Sequence, residues 1–217
     1  MGNMTSSPRT LRGAIFAIDM AMPLPRIVIF QYNPESVTRS LTPRSAPTGA
    51  SAAGPADAHR IWGAPVESCS MVVEVDAADQ LSDVHAGVVG VSAQLAALEL
   101  LLYPNVIQVV ANTALLAAGT IEILPPQSPL TVLVFGPGRV VPVRVDGLSI
   151  TEEAFDPLLN PIRARVELKV TTLTYNDLPP SDAGYALFLV HQVVKEALAV
   201  TGSAVAVGSA SFELAGV

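Results

Sequence analysis

The chain has 217 residues, a formal net charge of -7 and a sequence pI near 4.8; half of its residues are apolar, 14% are charged and 5% are aromatic. The acidic balance and singly scattered basic residues exclude a nucleic-acid binder, which needs a basic stripe to displace counterions from phosphate. So little charge on a chain long enough for one large domain implies that part of its surface is covered by neighbouring subunits.

Cys69 is the only cysteine, so neither an internal disulfide nor a thiolate metal cage is available. It sits in an apolar run, where a buried, inert thiol is expected. The first residues, MGNMTSSPRTLRG, lack the apolar core of a signal peptide. Two uncharged stretches, Val106 to Ile121 and Ala197 to Phe212, invite a membrane reading. The first is shorter than the roughly 20 residues of a spanning helix, and the second is rich in Gly, Ser and Thr. A chain soluble in the cytoplasm when synthesised is therefore expected, with no membrane partner.

In chain order, 13–18 and 26–32 read as strands, the second β-branched and aromatic, closed by Asn33-Pro34. Residues 43–58, low in complexity and rich in Ala, Ser, Gly and Pro, read as a mobile loop inside one domain. Val66 to Val75 reads as a strand. The spacing of Val84, Val88, Val91, Leu95, Leu98 and Leu102 predicts a helix capped by Ser82 or Asp83 and stopped by Pro104, most firmly over 92–102. Residues 106–126 read as an insertion, extended near 121–124.

The strand signal then strengthens. Residues 130–135 and 140–150 flank the turn Gly136-Pro137-Gly138, and the alternation of the second strand changes phase at Gly147, as a β-bulge does. After a turn at 155–161, Ile162, Ala164, Val166, Leu168 and Val170 alternate strictly with Arg163, Arg165, Glu167, Lys169 and Thr171, predicting a half-buried antiparallel strand. Ser181 or Asp182 caps a helix through about Ala199, with Leu187, Val190, Val194 and Leu198 as its inner stripe, followed by a small-residue tail at 203–217. The expected architecture is mainly β with two helices (α+β): a β domain at 11–178, built as an antiparallel barrel or sandwich around an internal helix, and a C-terminal helix and tail at 179–217.

Chemistry is sparse. His59, His85 and His191 share no metal-ligand spacing, and no nucleophile, zinc or phosphate-loop motif occurs. Gly136-Pro137-Gly138 lacks the Lys-Ser/Thr of a phosphate loop. Adjacent Glu152 and Glu153 would face opposite sides of a strand, and Asp76 with Asp79 is a weak cation pattern. No catalytic, cofactor-binding or metal-binding residues are assigned, no cofactor is expected, and the chain is read as a non-enzyme.

Several segments in order resemble the tube-type domain of contractile injection systems, the phage-tail-like particles. These are Arg26 to Glu35 (RIVIFQYNPE), Val72 to Asp76, the helix ending at Leu100-Leu101-Leu102-Tyr103-Pro104, and Val143 to Ile150 (VRVDGLSI) with Phe155-Asp156-Pro157 and Pro161 to Val166. The resemblance covers roughly residues 12–176. It implies a tube-initiating or baseplate-hub adaptor that forms rings, commonly of six, and contacts itself, the inner-tube protein, and spike, hub and baseplate proteins. Such a chain becomes part of an assembled particle, retained in the cell or released.

The family's larger members carry a peptidoglycan-binding LysM module, for which residues 181–217 are too few, so glycan binding is not expected. Tyr32, Asn33, Pro34, Phe155, Asp156, Arg163, Arg165 and Lys169 are the candidate assembly-interface residues. The alternatives are a tail-tube or baseplate protein of a conventional contractile phage, a small carbohydrate-binding β-sandwich, and a small enzyme of unrecognised site.

Overall fold

The computed structural model describes residues 11–18, 26–45, 60–77, 91–119 and 128–214, with side chains described as far as Ser203. Its strands are β1 (Ala14–Ile18), β2 (Arg26–Ile29), β3 (Val37–Thr42), β4 (Val66–Asp76), β5 (Leu130–Val134), β6 (Val140–Phe155) and β7 (Pro161–Thr172). Its helices are α1 (Ser92–Glu99), α2 (Val106–Ala117) and α3 (Ala183–Leu214). All strand pairs are antiparallel and form one sheet in the order β2-β1-β5-β6-β7-β4-β3.

The protein is thus mainly β with helices, as expected, and among the described residues it is one sheet with two edges, β2 and β3, where a barrel or two-sheet sandwich was expected. These edges are consecutive in the chain, which constrains the shape. The Asn33 side chain is tied to the start of β1, accepting from Gly13 N at 2.9 Å and donating to Leu11 O at 2.8 Å. From Asn33 to Val37 the chain can reach at most about 14 Å. In a flat sheet β1 and β3 would lie five spacings apart, about 24 Å. The sheet must therefore curl. Gln31 holds the curl at one end, donating to Asp76 O at 2.7 Å and accepting from Asp76 N at 2.8 Å.

The interior of the curl is the core. β7 buries Ala164, Val166, Leu168 and Val170 and exposes Arg163, Arg165, Glu167 and Lys169, so the strict alternation in the sequence is the alternation in space. β4 buries Cys69, Met71, Val73 and Val75 on the same side. Burial raises the Cys69 thiol above its ordinary range, consistent with an inert core residue. The phase change in β6 is a bulge: Val145 faces Val170 and Gly147 faces the next residue, Lys169, leaving Asp146 as the extra one. Gly136, at φ 78°, makes the β5–β6 turn with Phe135 and Arg139 paired across it. Phe30 is fully buried, and a Cβ at Gly13 would lie 2.6 Å from its ring, which is why β1 is entered through glycine.

α1 lies against the core through Val91, Leu95, Leu98 and Leu101. The expected stripe holds through Leu98; Leu101 then takes the inner position and Leu102 is exposed. Val84, Val88 and the Ser82/Asp83 cap lie outside the described residues, as does 46–59, most of the expected loop.

Residues 37–42 carry no reading in the sequence, because an exposed edge strand with a single Leu has almost no hydrophobic alternation. Within the expected insertion, residues 106–117 are a helix, begun by Asn105, whose side chain accepts from Ile107 N at 3.0 Å; 121–124 lies outside the described residues. One expectation is corrected: the C-terminal helix passes Ala199 and continues to Leu214 without yielding to a tail at 203.

α3 starts as expected, with Asp182 accepting from Gly184 N at 2.7 Å. Its inner stripe, however, is Phe188 and His191, with Val190 and Leu198 exposed. Phe188 meets Tyr175 edge to face, centroids 5.8 Å apart. Below them Glu67, on the core side of β4, accepts from Arg39 at 2.7 Å and from Lys195 at 3.1 Å. Burial alone would raise the Glu67 carboxyl, but the Lys195 hydrogen bond and the charges of Lys195 and Arg39 together bring it below its ordinary value.

Two outcomes are expected in denaturant unfolding. Leu168→Ala costs about 2–5 kcal/mol, whereas its neighbour Lys169→Ala changes stability by about 0.5 kcal/mol or less. Because Glu67 titrates lower folded than unfolded, its contribution is full above the ordinary carboxyl value, about pH 4.3, and is lost as pH falls through the folded value. Glu67→Gln should therefore cost about 2 kcal/mol at pH 7, and the difference should shrink as pH falls through the folded value.

Candidate assembly interface

The outer face of β6, β7 and β4 is built row by row from the registers. Arg163 lies between Glu153 and Asp76, Arg165 between Thr151 and Glu74, and Glu167 between Ser149 and Val72. The two arginines reach across to β4: Arg163 pairs with Asp76 at 2.7 Å and Arg165 with Glu74 at 2.9 Å. Both guanidinium groups remain more than half exposed, so solvent screens the two pairs and they add little to folding. Their effect is to hold two planar, bidentate-capable donors in a fixed direction. The Asp76 and Glu74 hydrogen bonds raise the Arg163 and Arg165 pKa values respectively, so both stay charged.

The segment after β2 borders this ladder. Tyr32, Glu74, Asp76, Glu153, Arg163 and Arg165 line a cavity of about 260 Å³. A second, of about 580 Å³, lies between Tyr32 to Ser36 and the side chains of Val72, Glu74, Arg165 and Glu167. The two adjoin at Tyr32, Glu74 and Arg165. The curl therefore brings Tyr32, Asn33, Pro34, Arg163 and Arg165 to one place, although more than 125 residues separate the two segments. Along the groove five carboxylates (Glu35, Glu74, Asp76, Glu153 and Glu167) face two arginines.

Phe155 and Asp156 stand at the end of the same hairpin. Phe155 pairs with Pro161 and is half exposed. Asp156 organises the turn: its carboxylate accepts from Leu158 N at 2.7 Å, Asn160 N at 2.8 Å and the Asn160 side chain at 2.8 Å. Those bonds, the Asn160 side chain first, hold the Asp156 carboxyl below its ordinary range. Asn33 holds the base of the Tyr32 loop through its bonds to β1. Lys169 shares the outer face but lies further along β7, opposite Ser70 and Gly147, away from the groove.

Sequence reasoning passed over the tip of the turn. Leu158 and Leu159 are about 80% exposed, and Leu159 is held at φ 65°, a left-handed conformation uncommon for a residue with a Cβ. It also passed over Glu74 and Asp76 as partners of the arginines; the alternation of β4 carried that signal, because both stand on its outward face. Glu153 lies beside Arg163 with Glu152 facing away, as adjacent strand residues should.

Uncovered apolar surface extends beyond this face. No residue of α2 is buried, and Val106, Ile107, Val110 and Leu116 are each more than half exposed. α3 is, over Ala183–Ser203, long and apolar enough to cross a membrane by length and composition, a window the sequence reading had not drawn. In the structure one face of that helix is spent on Phe188, His191 and the Lys195–Glu67 pair. Among the described residues no group of His, Cys, Asp and Glu could hold a metal ion, and His59, His85 and Asp79 lie outside them. No family model matches the chain, and no curated protein matches it.

Proposed function

We propose that this chain is a non-catalytic structural adaptor of a contractile injection particle, forming part of the junction between inner tube and baseplate hub and associating with copies of itself in a ring. The observation that carries the reading is a curled antiparallel sheet that, among the described residues, leaves the β3 edge, one entire helix and a leucine-tipped turn uncovered. Each 100 Å² of apolar surface left in water forgoes about 2.5 kcal/mol, so a chain that leaves α2 and the Leu158–Leu159 tip exposed is built to cover them in an assembly.

Among the described residues β3 has no strand on its outer side, and its Val, Thr and Ser residues suit strand addition; Arg39, its single charge, is turned to Glu67. The resemblance of 26–35, 72–76 and 143–166 to tube-type domains supplies the kind of assembly. The groove between Tyr32 and Arg165 is the contact face for a neighbour in this reading. Its carboxylate excess asks for a basic complement on the partner.

Affinity purification of the tagged chain from its native host, followed by electron microscopy, tests the proposal. Sheathed rods carrying the tag at one end are expected, together with tube and baseplate proteins in the eluate. Tyr32→Ala should abolish this co-purification while leaving the purified chain folded by circular dichroism, since Tyr32 is 43% exposed. Recovery of a lone monomer from cells that make such particles would overturn the reading, and recovery on phage virions would assign the chain to a conventional contractile tail.

A further inference from the structure

The two edges of the sheet are not alike. β2 has the end of α1 beside it, where Arg26 donates to Leu100 O at 2.6 Å. β3 pairs with β4 without a bulge, from Val37 opposite Met71 to Thr42 opposite Val66, and among the described residues its other side meets no strand. Every second residue of such a strand aims its N–H and C=O outward, and among the described residues no backbone bond outside the sheet involves 37–42. Edges are ordinarily blunted by proline, bulges or charge, because they recruit other strands. β3 has neither proline nor bulge, and its one charge, Arg39, is spent on Glu67.

A cavity of about 360 Å³ adjoins the same edge, between β3, the start of β4 and α3. Leu41, Ile61, Tyr175 and Phe188 give it apolar walls. Leu41 and Ile61 are 49% and 88% exposed, so the cavity meets water beside the edge strand. Leu41 stands opposite Glu67, on the core side of the sheet. A residue paired with Leu41 from a strand added to β3 would point to that side too, over the cavity. Of the charged groups in the lining, Glu67 is matched by Lys195 and by Arg39, and Glu196 accepts from Gln192 at 3.2 Å. The lining therefore suits an apolar side chain.

The open ladder defines the occupant as an extended chain, and the cavity defines one of its side chains. A second copy of β3 is a poor occupant. In the two longest antiparallel registers that keep the faces matched, Arg39 of one copy falls opposite either Arg39 or Leu41 of the other. The first sets like charges together, and the second sets a guanidinium over the apolar cavity. We infer that β3 takes an extended, uncharged segment of a different protein as a further strand, an apolar side chain opposite Leu41 filling the cavity. Backbone bonds then give the affinity and the cavity gives the selectivity. This deepens the assembly reading and rests on it only for the use of this edge.

NMR titration of the isolated full chain with the peptide acetyl-Lys-Thr-Leu-Thr-Thr-Thr-Val-Thr-Lys-amide tests it. Antiparallel to β3, the peptide sets its Leu, central Thr and Val opposite Leu41, Arg39 and Val37. Saturable binding is expected, with amide shifts and slowed exchange confined to 37–42 and the cavity. Phe in place of the peptide's Leu should keep binding, whereas Ala, Asp or Lys there should cost about tenfold or more. Leu41→Lys in the protein should weaken binding by about tenfold or more as well; should it fail to fold, Ile61→Lys, at a residue 88% exposed, carries the test. Four results overturn the inference: neither the Leu nor the Phe peptide binds, the shifts fall elsewhere, the Ala or Lys peptide binds as tightly, or the folded variants bind like the wild type. Dimerisation of the chain through 37–42 without peptide would assign the edge to a second copy and overturn it too. None of these results decides whether the tagged chain co-purifies with sheathed rods, so the two readings fail separately.

Discussion

Everything outside the core depends on the short link between the two edges of the sheet. β2 and β3 are neighbours in sequence and opposite edges in space, and the chain joining them is pinned to β1 by Asn33 and to β4 by Gln31. Four residues cannot cross a flat sheet, so curvature is imposed by chain length before any side chain packs. The Gln31 amide does at one point what a backbone ladder would do along a whole strand: it gives one donor and one acceptor to a β4 residue. Curvature then encloses Phe30, Leu133, Val166 and their neighbours and lays the Tyr32 loop over the Arg163–Arg165 ladder.

The same curvature separates the two ends of the molecule. At one end stand the Asp156 turn with its exposed leucines, the Arg163–Asp76 pair and the Gln31 clasp. At the other, α3 is held by Phe188, His191 and the Glu67 ion pairs over an apolar cavity. At the first end the Arg163 guanidinium and the leucines of the turn are exposed, while Asp76 and the Gln31 clasp are partly buried. The Glu67 cluster is buried and costly to break, because removing one partner leaves charge in a poorly solvated place. One end thus keeps its polar groups at the surface while the other keeps α3 docked.

How much of this the sequence disclosed follows from where each signal resides. The strand at 161–172 was legible because one face is buried along its length, so Ala164, Val166, Leu168 and Val170 print the period directly. The bulge at Asp146–Gly147 was legible as a phase slip in that period. β3 was not, because an edge strand exposed on both faces leaves no alternation to read. In α3, Leu187, Val190, Val194 and Leu198 formed the more hydrophobic stripe, yet the face used is the one carrying Phe188, His191 and Lys195, where the β4 carboxylate of Glu67 waits. Tertiary pairing overrode hydrophobicity there. The nearness of Tyr32 to Arg165 depends on the curl, and the Gln31 side chain that secures it has no sequence signature.

The central claim, that the sheet is closed on itself at Gln31, is open to one direct measurement. In solution NMR of the isolated chain, nuclear Overhauser contacts should connect the Gln31 side-chain amide with the backbone amide of Asp76, alongside the cross-strand contacts of β6 with β7. Their presence is the predicted result. Their absence, with the contacts between Ile150 and Val166 intact, would mean an open sheet whose edges lie far apart, and the Tyr32–Arg165 groove would go with it.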